Sequence, residues 1–310
     1  MEYGVHLPLI SFSGESRTLE DLRVYTSDAR DLGYSYLCAN DHLLFSRPWL
    51  DGPTALSAVL DVSGEMRLAT TIALPVLRGP VATAKALGAI DLLSGGRMTV
   101  GVGPGSSEAD YRVAGLDFSE RWKRFDESIA VLRAMWRGQS FDGTFYPIGD
   151  ASLLPRPAQK DGPPIWVASW GSEAGLRRTA RLGDGWLASG YNTTPEIFPQ
   201  ALAYLGEQLA SRGKDPGTFP NGIATLWMSV TEDRAEATRV IEDVVSKMLN
   251  RPADQIAGLL PVGSAEECAV LMSRYAAVGA ERVFVWPVAD DREQIERFME
   301  RVVPLVTDNS

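Results

Sequence analysis

Histidine and cysteine are scarce in this chain, with two of each among 310 residues. A catalytic metal centre gathers several His, Asp and Glu ligands at one point, and His6 and His42 are too few to supply it. No metal site is expected. Cys38 and Cys268 lie far apart and neither belongs to a CxxC pattern, so two reduced core thiols are expected and not a metal cluster or redox pair. Excess basic charge is missing too. The formal net charge is -10 and the pI about 4.9, the wrong sign for nucleic acid, whose phosphates demand a basic surface. No apolar run reaches the roughly 18 residues of a membrane helix. The opening MEYGVHLPLI has neither the basic flank nor the small-residue cleavage site of a signal peptide. A cytoplasmic protein with a small-molecule partner is the expectation.

What is present is 45% hydrophobic residues, enough for a sizeable core. Short runs rich in β-branched and aromatic residues alternate with longer amphipathic segments. They predict strands at 3–8, 35–39, 67–73, 97–102, 164–169, 185–189, 223–230 and 282–286. Between them fall helices near 18–32, 52–63, 80–93, 119–137, 172–182, 195–212, 233–249 and 264–278, with a last one at 290–304. Eight strand-helix units without a composition break predict a single α/β domain over 1–310, a (β/α)8 barrel. The turn-rich stretches 138–163 and 250–262 read as insertions. The competing architecture is an open doubly wound sheet, suggested by TVGVGPGSS at 99–107. Its glycines form GxGxG with Pro104 between them, which is the wrong spacing for a dinucleotide loop.

In a barrel, ligands bind at the carboxyl ends of the strands. The residues there are Leu9 and Ser11; Asn40, Asp41 and His42; Thr71, Ile72 and Pro75; Gly103, Gly105 and Ser106; Ser169, Trp170, Gly171 and Ser172; Ser189, Gly190 and Tyr191; and Trp286 and Pro287. This mouth is apolar and aromatic, dotted with hydroxyls and nearly free of charge. No GxSxG elbow occurs, and neither cysteine has a histidine near it in sequence. In SWGSEAGLRRTARLGDGW, residues 169–186, Ser172 is a candidate helix N-cap and the loop before it offers free backbone N–H groups to a phosphate. A plain capped helix is the other reading of the same residues.

Several of these segments taken together resemble the luciferase-like monooxygenase superfamily, whose members use reduced flavin or the deazaflavin coenzyme F420. The likeness rests on LSGGRMTVGVGPG, on the R-x-x-R-x-D-E pattern at Arg121, Arg124, Asp126 and Glu127, on PPIWVASWGSEAGLRRTARLGDGW, and on Asn40-Asp41-His42. It covers almost the whole chain. It implies a (β/α)8 barrel with a flavin-type ring across its mouth, a phosphate near Ser169 to Ser172, a non-proline cis peptide at Thr71-Ile72, and a homodimer. Cofactor contacts are then expected from Asn40, Thr71, Ile72, Gly103, Gly105, Ser106, Ser169, Trp170, Gly171 and Ser172.

Compact length and the Asp41-His42 pair are more similar to the F420-dependent dehydrogenases and reductases than to the larger monooxygenases. F420 is therefore the expected cofactor, FMN with monooxygenation the alternative, and a flavin-binding barrel without turnover a further one. The sugar-phosphate branch of the family carries a glutamate where this chain has Ser106 and a lysine where it reads SGYNTT. A small, mostly apolar substrate is expected instead. Under this resemblance His42 is the acid-base group, oriented by Asp41, and Trp49, Tyr191 and Trp286 line the substrate pocket. His6, inside the first strand, reads as structural. Arg121, Arg124, Asp126 and Glu127 read as a structural helix network.

Overall fold

Parallel strands need long crossovers, and here those crossovers are mostly helices. A computed structural model describes residues 1–12, 14 and 16–307. The strands are β1 (Glu2–His6), β2 (Tyr36–Ala39), β3 (Arg67–Ala73), β4 (Met98–Val102), β5 (Ile165–Ala168), β6 (Gly185–Ser189), β7 (Asn221–Val230) and β8 (Arg282–Pro287). Each pairs in parallel with its sequence neighbours, β8 returns to β1, and the ring is closed. The architecture is the (β/α)8 barrel that the alternation predicts.

The barrel interior is filled by Tyr36, Cys38, Ala69, Trp166, Leu187, Ala224 and Phe284. Rings of this size fit because β1 offers no side chain at Gly4, where a methyl would sit 2.5 Å from Phe284 Cδ1 and 2.8 Å from Tyr36 Cβ. Outward-facing residues such as Val5, Leu37, Leu68 and Val100 belong to a second, larger apolar layer beneath the helices. Both cysteines are free and buried.

The helices are α1 (Leu19–Asp31), α2 (Gly52–Ala58), α3 (Pro75–Arg78), α4 (Pro80–Leu93), α5 (Glu108–Val113), α6 (Arg121–Arg137), α7 (Glu173–Leu182), α8 (Phe198–Ala210), α9 (Arg234–Arg239), α10 (Ser246–Leu249), α11 (Ala265–Ala277) and α12 (Asp291–Arg297). None is long and apolar enough to cross a membrane. The helix expected over 233–249 is divided by a π-turn at Val240–Val245, and the one expected over 290–304 passes into a π-turn at Phe298–Val302. The short helices α3 and α5 are not foreseen by periodicity, because four and six residues hold too few turns to show one.

The charged residues of α6 tie neighbouring elements together. Arg178 and Arg181 of α7 grip Asp126 at 2.7 and 2.5 Å, and Arg124 pairs with Glu120. Glu127 accepts the backbone N–H groups of Thr144 and Phe145. The latter two lie in a small hairpin, Phe141–Asp142 with Pro147–Gly149, inside the 138–163 stretch. The 250–262 stretch holds a 3-10 turn at Ala253–Gln255 and ends on a short strand, Val262–Gly263, against β7. The effect on the mouth is to fix α7, and with it the loop that ends β5.

Candidate active site

Beyond Ala39 the chain leaves the barrel through Asn40, whose side chain accepts the N–H of Asp41. Asp41 turns inward and is 2% exposed. Arg78, the last residue of α3, donates to it twice, Nε at 2.5 Å and an Nη at 2.6 Å, and also to Asp51, the N-cap of α2. These carboxylates push the guanidinium further up from an already high pKa. Asp41 is thus committed to Arg78, which corrects its expected role as the orienting partner of His42. The carboxylate that faces His42 is Asp110 of α5, with Oδ2 3.7 Å from Nδ1.

His42 opens a wall of rings. Its imidazole centroid lies 4.6 Å from Trp49 and 5.1 Å from Phe45. Trp49 meets Trp286 edge-on at 5.5 Å, and Trp286 stacks on both His6, at 4.1 Å, and Trp227, at 4.2 Å. Phe12 abuts Trp227. His6 is fully buried, and its Nε2 lies 3.2 Å from the Thr71 hydroxyl. Burial drives its pKa down to about 3, so it is neutral. Burial also lowers the pKa of His42, while the nearby carboxylates of Asp110 and Asp41 raise it in part. With its side chain 27% exposed, His42 is the reachable imidazole of the two.

The strands beside this wall form a shallow platform. The Thr71-Ile72 peptide is cis, as the resemblance implies. A methyl on Gly103 would collide with Ile72 Cδ1 and lie 3.8 Å from Ala168 Cβ, so the Ile72 side chain packs onto the bare backbone that follows β4. Gly105 follows with φ +82°. Ser106 is exposed; it is Ser107 that caps α5 by accepting the N–H of Asp110.

At the end of β5, Ser169 is buried and its Oγ accepts the N–H of Gly171, which stands at φ +88°. Ser172 caps α7 through the N–H of Gly175. The hydroxyl of Thr193 is buried without a partner, 3.6 Å from where a Gly171 Cβ would lie. Trp170 stands apart, 57% exposed. Tyr191 packs under the Arg251 guanidinium at 5.0 Å. Trp286 is only 1% exposed, so it backs the wall and is not a free face of the pocket; this corrects its expected contact role.

The buried donors at Ser11 Oγ, Trp49 Nε1, Trp227 Nε1 and Thr193 Oγ1 have no hydrogen-bond partner. Unmatched buried donors are costly unless a ligand meets them. Together with the platform and the α7 N-terminus they fit a flat heteroaromatic ring carrying a phosphate.

Sequence reasoning missed Asp110, Arg78, Trp227 and Thr193. Trp227 depends on a bulge: β7 pairs Ile223 with Val283, then slips at Thr225, φ +60°, so that Trp227 lies opposite Trp286 and not Pro287. No local signal marks that slip.

Residues 1–282 match the family model for luciferase-like monooxygenases. An F420-dependent glucose-6-phosphate dehydrogenase of Beutenbergia cavernae is 35% identical, with 94% of this chain and 95% of that protein aligned. Among solved structures, a monooxygenase from Streptomyces bottropensis superposes with a TM-score of 0.84 at 21% identity, covering 98% of this chain and 99% of the other. An F420-dependent secondary alcohol dehydrogenase in complex with an F420-acetone adduct gives 0.83 at 21% identity, covering 99% of each. At these identities the two structures bear on the fold alone.

Proposed function

This chain belongs to the luciferase-like monooxygenase family, and from that premise we propose that it is an F420-dependent oxidoreductase of small, mostly apolar alcohols or ketones. The observation that carries the reading is the ring wall of the mouth ending on one reachable imidazole, His42, kept mostly unprotonated by burial. When bound, the deazaflavin supplies hydride transfer to or from the substrate carbon. The chain supplies the rest. His42 takes the hydroxyl proton of an alcohol, or returns one to a carbonyl. Trp49 shields that proton from water, Tyr191 closes the other side, and Trp286 stiffens the wall behind them.

Cofactor contacts fall to Asn40, Thr71, Ile72, Gly103, Gly105 and Ser106 around the ring, and to Ser169, Gly171 and Ser172 around the phosphate. Thr193 joins that second group through its unpartnered hydroxyl, while exposed Trp170 contributes only backbone. Arg78 is not free to take a sugar phosphate, because Asp41 and Asp51 already hold it. The chain acts as one barrel domain with its two insertions, in the cytoplasm and as a homodimer. The dimer is supported by the exposed Val81, Leu92 and Leu93 of α4.

Titration of the purified protein with F420 and with FMN, followed by cofactor fluorescence, tests the first claim; tight FMN and no F420 binding overturns it. F420 reduction is then followed with propan-2-ol, cyclohexanol and glucose 6-phosphate. Turnover of the phosphate alone would overturn the substrate class.

A further inference from the structure

Asp110 is 1% exposed, and neither of its carboxylate oxygens has a hydrogen-bond partner. Burying a carboxylate in this way is expensive. Its ion partner among the described residues is His42 Nδ1 at 3.7 Å. The position is built, not incidental. Ser107 caps the short helix by accepting the Asp110 N–H, and the next residue, Tyr111, is fully buried, hydrogen-bonds the Pro104 carbonyl, and meets the Phe118 ring edge-on at 5.3 Å. The rings of Trp49 and Phe45 pack against His42, and Asp41, whose charge also acts on it, is already matched by Arg78, which also holds Asp51. Asp110 is left as the uncompensated carboxylate against this imidazole.

We propose that Asp110 is the positioning residue for His42: it selects the Nδ1–H tautomer, leaves Nε2 as the proton acceptor, and stabilises the imidazolium formed when a substrate hydroxyl is deprotonated. This rests on the reading of His42 given above. In the oxidative direction the carbinol C–H bond breaks with its electron pair, as hydride to the oxidised deazaflavin. The O–H bond breaks, its electron pair becomes the second C–O bond, and its proton goes to Nε2. Asp110 changes no covalent bond. Its contact with Nδ1 shortens to a hydrogen bond as charge develops, since catalytic hydrogen bonds are often long before the reacting complex forms.

With only two histidines, labelling with [13Cε1,15N]histidine gives two imidazole signals, and buried His6 is the control. Asp110→Asn keeps the shape and has no hydrogen bond to lose, so it is expected to fold. Loss of the adjacent charge should lower the titration midpoint of His42 by about one pH unit or more and weaken its Nδ1–H preference. Asp110→Glu should restore part of both, and Asp41→Asn should do less than Asp110→Asn. Unchanged midpoint and tautomer in Asp110→Asn overturn the proposal. With F420 and propan-2-ol, kcat should fall about tenfold or more with KM little changed, the mark of an interaction made in the transition state. A shifted midpoint with unaltered turnover upholds the pairing and instead overturns His42 as the proton carrier. Lost turnover with an unmoved His42 signal overturns the positioning role.

Discussion

Replacing Arg78 with Met separates the structural carboxylate of this mouth from the chemical one. Arg78→Met leaves Asp41 buried and unmatched, with its carboxylate 1% exposed where two guanidinium hydrogen bonds had met it. Breaking a buried pair from one side costs about 3–5 kcal/mol. Arg78 is 21% exposed, so water relieves part of that, and the lower end, about 3 kcal/mol, applies. For a chain of 310 residues the unfolding entropy is about 0.65 kcal/mol per kelvin, which converts the loss into a Tm about 5 °C lower. Asp41→Asn should cost less, because Arg78 keeps Asp51. The double variant Arg78→Met with Asp41→Leu should recover most of the loss, since an apolar pair carries no stranded charge. Thermal and urea unfolding of the cofactor-free protein measure all three. A fall below about 1 °C in Arg78→Met, against the about 5 °C expected, or a double variant no better than the single, refutes the assignment of Asp41 to structure.

Two more perturbations read other parts of the site. Gly171→Val places a β-branched residue at φ +88°, a region costing an L-residue about 1–2 kcal/mol, so cofactor affinity should fall about tenfold. Gly171→Ala should lose less, because the nearest atoms lie 3.5 Å away, and equal affinity in the valine variant would move the phosphate elsewhere. His6 tests linkage. Its folded pKa is about 3 against 6.5 in the unfolded chain, so below pH 6.5 the unfolded state binds the extra proton and stability falls as pH falls. The slope is at most about 1.4 kcal/mol per pH unit. His6→Phe keeps a ring against Trp286 and removes that slope. Urea midpoints at pH 5 and pH 7 should therefore draw closer in the variant than in the parent, and an unchanged difference refutes the burial argument.

The barrel was legible because each strand is short, apolar and punctuated. YSYLCA passing into Asn40-Asp41-His42 marks the end of β2 within a residue, and β2 does end at Ala39. His42 stands out in the sequence by rarity and place. Its partner does not, because sequence proximity favours Asp41, while neighbours in extended chain point to opposite sides. Asp41 turned into the protein toward Arg78. The true neighbour, Asp110, arrives on a six-residue helix far along the chain, and nothing local connects it to His42. For His6 only the strand bounds differ, and its ring is fully buried against Trp286. The run read as 3–8 places it mid-strand, whereas β1 spans Glu2–His6 and brings its ring to the mouth as the last strand residue. Trp227 was hidden by the bulge at Thr225, which shifts the pairing by one residue.

Two histidines meet one ring wall, and only one of them can exchange a proton near neutral pH. His6 lies flat on Trp286, interplanar angle 3°, with no exposed surface and no carboxylate paired with it among the described residues, so protonation would strand a charge among apolar rings. His42 is partly exposed and has Asp110 against its Nδ1, so the same charge there would be both hydrated and matched. The wall therefore keeps the mouth neutral over most of its area and confines charge separation to one rim position. A phosphorylated substrate would need a free cation in that wall, and Arg78 cannot provide one without stranding Asp41. The same ion pair keeps β2, α2 and α3 together, and the preference for uncharged substrates proposed above would rest on it. Admitting a phosphate should require that Arg78 be kept and another cation be used, and Arg251, held by the neutral amide of Asn192 in the SGYNTT loop after β6, already stands there.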